Sequence, residues 1–345
     1  MNGRQNKDSS GSLESIIEDS STNISSSFNK KDIWSLIKEK NAIKEKKPTE
    51  DREVAIESYV LFVGDKNSGK SELIVRFLDR EEKKVDATVA LQYTFCRRTR
   101  GVNSIKDVAH LWELAGGIFL SELINVPITE FNLQSLTYVI VLDLSEPQDI
   151  LTNLENYLDK FWNRVNSIFK NLEQRGSKRP KNLKNLSWKK FGSEHPDKDY
   201  LTPSPLPIII VGNKFDVFRN FEPYVAHKNG ASLIYTAHRD ENSIMKFRNL
   251  LNHLTFKTKQ PSGFVVDTNK PLFIQAGSDA FSAIGYPPSM SANRESINIH
   301  NFVPYQTWKT DFEKYFPKKA ELQDIKLDFS RYPEPVIDSM RDQKE

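Results

Sequence analysis

The sequence predicts an α/β protein, a mostly parallel β-sheet flanked by helices and built around a phosphate-binding loop. Three observations predict it. An apolar run from Val60 to Val63 leads through "GDKNSGKS" into a segment of helical periodicity. Further apolar runs, "TYVIVLDLS" and "PIIIVGNKFD", alternate with helix-like stretches. The second of them ends in polar residues, at the carboxyl end where open α/β sheets bind ligands.

Val60, Leu61, Phe62 and Val63 read as a short buried strand, and Leu73, Ile74, Phe77 and Leu78 recur on one face of the helix behind it. The turn between them matches G-x-x-x-x-G-K-[ST], with Gly64 opening it and Gly69, Lys70 and Ser71 closing it. A backbone wraps a phosphate this closely only where side chains are absent, and N–H groups at the helix start complement negative charge. Lys70 would reach the outer phosphates and the Ser71 hydroxyl would bind Mg²⁺. A plain strand-to-helix turn with a solvated lysine is the alternative. The strand before and the helix after argue against it.

Next come "ALQYTFCRR", a strand, and "DVAHLWELAGG", a strand ending in two glycines. "TYVIVLDLS" is a buried strand, followed by a long helix from about Ile150 to Leu172. "PIIIVGNKFD" and "ASLIYTA" are the fifth and sixth strands, and "NSIMKFRNLLNHLTF" is a closing helix. The crossover between Asp216 and Ser232 is broken by Pro223 and Gly230. Parallel crossovers need a dozen or more residues, most of them helical, so at most a short helix covers that face and the base-binding edge is under-supported.

Residues 1–31, rich in Ser, Asn and charge, read as a disordered N-terminus. Residues 32–54 read as an amphipathic helix and linker, with Asp32 as N-cap and Ile33, Trp34 and Ile37 as its stripe. That helix packs on its own domain or serves a partner, with Trp34 and Ile37 as anchors in the second case. The main domain spans residues 55–286 and carries an inserted basic loop at about 175–206. The loop reads as a solvated insertion rather than a contact for an acidic partner such as a tubulin surface. Residues 287–345 form a tail with a short aromatic helix at about 304–316, where Tyr305, Trp308, Phe312 and Tyr315 share a face between Pro304 and Pro317. So many aromatics need burial, against the domain or against another protein. Trp308 and Phe312 are the anchors in the latter case.

Over 345 residues the formal charge is +3 with both signs mixed, which gives no case for a nucleic-acid binder. The single cysteine, Cys96, allows no internal disulfide and suits a reducing compartment. The N-terminus has no apolar stretch of the secretory kind, and no apolar run is long enough to span a bilayer. A soluble intracellular protein without membrane insertion is expected.

In Ras-like GTPases the tetrapeptide seen here as Asn213-Lys214-Phe215-Asp216 reads guanine: the Asp accepts from the ring N1–H and exocyclic amine, and the Lys stem covers the base. Thr236-Ala237 resembles the accessory guanine loop. In this order after a phosphate loop, the set resembles a Ras-like G domain over about residues 55–256. That resemblance implies GTP or GDP with Mg²⁺ as the ligand. The hydrolytic positions depart from it. The pattern D-x-x-G stands as Glu113-Leu114-Ala115-Gly116, and the extra methylene of Glu disturbs the near-ideal octahedron that Mg²⁺ demands. Gly117 stands where such enzymes carry the water-orienting Gln, and it has no side chain to orient anything. Thr88, 17 residues beyond Ser71, suits the switch threonine, whereas Thr94 falls inside a strand. Ser71, Thr88 and Glu113 are therefore the Mg²⁺ candidates, no residue is assigned to catalysis, and hydrolysis is expected to be slow or absent. Any nucleotide is structural; an empty loop, a relic of ancestry, is the alternative.

"VLFVGDKNSGKSELIVRFLDR", "ALQYTFCRR", "HLWELAGG", "VIVLDLSEPQD", "VGNKFDVF", "VAHKNGASLIYTA" and "NKPLFIQAGSDAFSAIG" together resemble the dynein light intermediate chain family, over about residues 32–317. The likeness rests mainly on "WELAGG" and "KPLFIQAG", which ordinary small GTPases lack, and leans towards the cytoplasmic dynein 2 branch. A helix-bearing segment of the family is missing between Asp216 and Val225. The resemblance implies a non-catalytic subunit packed on the tail of the cytoplasmic dynein 2 heavy chain, beside the other dynein 2 subunits, reaching microtubules only through the motor. It also implies a part in retrograde intraflagellar transport and cilium assembly, in the cytoplasm, the axoneme and the basal body. An active Ras-like GTPase switch in intracellular trafficking is the competing expectation. An ATPase is disfavoured because Asp216 suits guanine.

Overall fold

Seven strands form one sheet in the order β2-β3-β1-β4-β5-β6-β7. The computed structural model describes residues 55–79, 88–99, 106–192, 195–215, 223–267, 270–287 and 305–317. The expected N-terminal segments 1–31 and 32–54, with Trp34 and Ile37, lie outside the described residues, as does Asp216. The strands are β1 (Glu57–Gly64), β2 (Leu91–Thr99), β3 (Lys106–Leu114), β4 (Leu136–Asp143), β5 (Ile208–Asn213), β6 (Ser232–Thr236) and β7 (Phe273–Ile274). The helices are α1 (Lys70–Phe77), α2 (Pro147–Gln174), α3 (Arg179–Trp188), α4 (Pro223–Lys228), α5 (Glu241–Phe256), α6 (Phe281–Ile284) and α7 (Tyr305–Tyr315). Strands β3, β1, β4, β5 and β6 run parallel, and β2 and β7 are antiparallel edges.

The central strands carry continuous apolar runs because both of their faces are covered. Val60 and Phe62 of β1 point to one side, where Leu73, Ile74 and Phe77 of α1 and Phe247, Leu250 and Leu251 of α5 meet them. Leu61 and Val63 point to the other side, against the stripe Leu154, Leu158, Phe161 and Val165 of α2.

Two expectations change here. The basic stretch at 175–206 is not a plain solvated loop: it contains α3, and Leu183, Phe191, Leu201 and Leu206 are buried. Its cations are on the outside of a segment whose apolar residues pack inward. The aromatic helix α7 belongs to the domain rather than to a tail, with Trp308 8% and Phe312 3% exposed in the same core as α2. Both pack into this core, the first of the two placements their aromatic face allows. Helix α4 has only six residues, and its Tyr224 ring stands 5.5 Å from Trp308 and 5.9 Å from Tyr305. Helix α7 thus packs against α4 through these rings. Tyr305 and Lys309 secure it by hydrogen bonds of 2.8 Å each to Glu155 on α2.

Candidate functional site

The parallel register brings the carboxyl ends of four strands together, with Gly64 beside Val141, Asp143 beside Asn213 and Asn213 beside Thr236. The loop from Gly64 to Gly69 wraps over this edge. Gly69 sits in the left-handed region at φ 90°, and a Cβ there would lie 2.1 Å from Asn213 Nδ2. A side chain fits neither the backbone nor the space. Asn213 explains the closeness: its Nδ2 donates to Ser68 O at 2.9 Å, and its Oδ1 accepts from Thr236 Oγ1 at 3.1 Å. One buried amide therefore ties the loop, β5 and β6 together.

Lys70 is buried, and its Nζ donates to the carbonyls of Gly64 at 2.8 Å and Asp65 at 2.6 Å. Burial pushes its ammonium below the usual lysine range, opposed by Glu113 and Asp65. Ser71 Oγ donates to Glu113 Oε1 at 2.5 Å. Lys70, Ser71, Thr88 and Glu113 line one groove of about 620 Å³ with Gly69 and Gly116. The structure therefore unites the phosphate-loop residues with all three Mg²⁺ candidates. Thr88 Oγ1 donates to Gln92 Oε1 at 2.9 Å.

Among the described base-reading residues, Asn213, Lys214, Thr236 and Ala237 do not line that groove. Lys214, at φ 63°, reaches Asp143 Oδ2 at 2.5 Å. Ala237 is buried, and its N–H donates to Ser243 Oγ at 3.3 Å. Gly116 and Gly117 both adopt left-handed backbone, at φ 78° and 60°. A Cβ on Gly117 would stand 3.2 Å from Asp65 Oδ1. Asp65 in turn accepts from Asn153 Nδ2, and from Tyr157 OH at 3.2 Å. Burial raises its carboxyl above the ordinary value, against the hydrogen bond from Tyr157, the Lys70 charge and the Asn153 bond.

Sequence reasoning missed this Asp65–Asn153–Tyr157 link. Asp65 occupies a free position of the loop motif, so no pattern singles it out. Asn153 did carry a signal, a polar residue on the buried stripe of α2 beside Leu154 and Tyr157. Such a side chain requires a partner.

The sheet order, the loop between β1 and α1 and the polar ends of β5 and β6 define a Ras-like P-loop domain whose hydrolytic positions are altered. A solved structure described as the crystal structure of the dynein light intermediate chain's conserved domain shares this fold, with TM-score 0.55 and 16% identity, covering 77% of this chain and 100% of that one. The family model "Dynein light intermediate chain (DLIC)" matches residues 29–200. Human cytoplasmic dynein 2 light intermediate chain 1 is 39% identical over 305 residues, 84% of this chain and 86% of that protein. The zebrafish (Danio rerio) protein of that name is 38% identical over 324 residues, 89% of each. Cytoplasmic dynein 1 light intermediate chain 1 of Dictyostelium discoideum is 27% identical over 162 residues, 46% of this chain and 31% of that one. The chain belongs to the dynein light intermediate chain family, which makes it a dynein subunit. Among the described residues no helix is long and apolar enough to cross a membrane.

Proposed function

We propose that this chain is the non-catalytic light intermediate chain of the cytoplasmic dynein 2 motor, binding and stabilising its heavy chain for retrograde intraflagellar transport and cilium assembly. One observation carries the assignment to dynein 2. Similarity to the human dynein 2 protein extends over 86% of that relative, whereas similarity to the Dictyostelium dynein 1 protein reaches 31% of it. The subunit works in the cytoplasm, at the basal body and along the axoneme, with the other dynein 2 subunits beside it and microtubules reached through the motor.

The groove residues fit a guanine nucleotide's phosphates with a divalent cation. Lys70 would neutralise the phosphates, Ser71 would hold the cation with Glu113 and Thr88 beside it, and Asn213 keeps the loop in shape. The cation would screen phosphate charge. Among the described residues, Gly117 has no side chain to orient an attacking water, and Asp65 is held by Asn153 and Tyr157. The nucleotide is accordingly a structural ligand.

Co-purification of the tagged full chain with the cytoplasmic dynein 2 heavy chain tests the assignment, and near-stoichiometric recovery is expected. Single-turnover assays should place GTP hydrolysis at background. Failure to recover the heavy chain, or brisk turnover abolished by Lys70→Ala, would overturn the reading in favour of a working GTPase switch.

A further inference from the structure

At the amino end of β6, the sheet edge opposite the phosphate groove, four polar residues meet from three separate segments. His195 and Asp197 precede the 3₁₀ turn Lys198–Tyr200, His227 lies on α4, and Asp279 leads into α6. The His227 side chain is 1% exposed and that of Asp197 13%, and Asp279 is 7% exposed. We propose that His195, Asp197 and His227 form a structural site for a divalent transition metal, zinc by its ligand chemistry.

Geometry comes first. One ligating atom from each of the three residues lies within 4.8 Å of the others. His227 Nε2 and Asp197 Oδ2 are 3.0 Å apart. Two ligands of a tetrahedral zinc, each about 2.0–2.1 Å from the ion, stand roughly 3.3 Å apart, so a small outward shift admits the metal between them. His195 Nε2–H donates to the Asp279 carbonyl at 3.0 Å. That bond leaves Nδ1 as the ring's lone pair, accepting only a 3.2 Å contact from Asp197 N–H. Ligating histidines typically hold their tautomer this way, with the second ring N–H on a backbone carbonyl. Asp197 is positioned as well, since its Oδ2 accepts from Phe281 N at 2.7 Å.

Charge is the second, independent observation. Two largely buried carboxylates, Asp197 and Asp279, face two imidazoles, and among the described residues no lysine or arginine pairs with either. Buried charge without a counter-charge is costly. A divalent ion supplies the missing positive charge, with a water in the fourth tetrahedral position. Two imidazoles with one carboxylate suit zinc, whereas magnesium and calcium prefer oxygen alone. On binding, the metal takes the lone pair of His227 Nε2, and the proton that stood between Nε2 and Asp197 Oδ2 is relocated to Nδ1, so the imidazole stays neutral and no proton is lost. The ion would staple the 195–200 segment to α4, and Asp197 carries the link on to the start of α6 through its bond from Phe281 N.

The full chain, stripped with chelator and titrated with zinc by calorimetry, should bind one tight equivalent and melt at a higher temperature. Cobalt in its place should give the visible bands of a tetrahedral site, a readout that needs no variant. Asp197→Asn, which keeps the hydrogen bonds, and His195→Gln should each weaken zinc at least tenfold while circular dichroism stays native. Ser71→Ala in the phosphate groove should leave zinc binding unchanged. No zinc bound by the stripped wild-type chain, or equal binding by the Asp197 and His195 variants, would overturn the proposal and leave a purely hydrogen-bonded cluster.

Discussion

At Asp65, burial favours the neutral carboxyl, while Tyr157, Lys70 and Asn153 favour the charged one. Burial wins, so the folded pKa is raised. A group with a raised folded pKa contributes its stability fully below its unfolded value and loses it as pH climbs through the folded value. Asp65→Asn, whose oxygen can accept from Asn153 while its amide donates to the Tyr157 hydroxyl, should therefore raise the melting temperature at neutral pH. The gain should vanish below about pH 4, and a gain independent of pH would refute the argument. Gly117 makes the second case. Placing Gln there restores the residue type expected of a hydrolase, but the left-handed backbone costs a side chain about 1–2 kcal/mol, and its Cβ would crowd Asp65 at 3.2 Å. Gly117→Gln should lower stability and leave single-turnover GTP hydrolysis at background. At this scale the motif residues were legible and their new ties were not: Lys70 on its own loop carbonyls and Ser71 on Glu113 depend on distances that no spacing rule contains.

Helix α7 shows how far an element can be read. Its aromatic face and its proline boundaries were visible in the sequence, and it spans Tyr305–Tyr315. Which surface it covers was not visible, because a helix face states that it needs burial and not against what. Trp308→Ala or Phe312→Ala should cost about 3–5 kcal/mol of folding stability, the usual range for large aromatics lost from a core. Below the lowered melting temperature, heavy-chain co-purification should persist; loss of binding with unchanged melting would make them anchors after all. Helix α2 was legible because its apolar stripe repeats over many turns. Helix α3 was not. Only Pro180, Leu183 and Ser187 of it are buried, and a run of lysines masks so weak a pattern. Strand β7 is two residues long, too short to show any period.

For the molecule as a whole, the phosphate loop and the sheet edge it caps are one unit, and Lys70→Ala should separate a structural nucleotide from none. In wild-type chain, GTP with Mg²⁺ at a hundredfold excess over its dissociation constant should add roughly 2.7 kcal/mol of stability. The variant should lose that increment. Without nucleotide its melting should change little, because relief of a buried cation offsets the lost bonds to the Gly64 and Asp65 carbonyls. A variant that still gains stability from GTP would refute the role given to Lys70. Heavy-chain binding should survive the substitution. The sequence by itself determined the α/β class, the phosphate loop and the family, because these reside in local signals: apolar runs, a glycine-bounded turn, and segments such as "WELAGG". Only the tertiary structure decided that α7 packs into the core of the domain, that Asp65 is held by α2, and that His195, Asp197 and His227 converge. Each of these joins residues far apart in the chain, where free energy depends on distance and burial in the folded molecule rather than on neighbours in sequence.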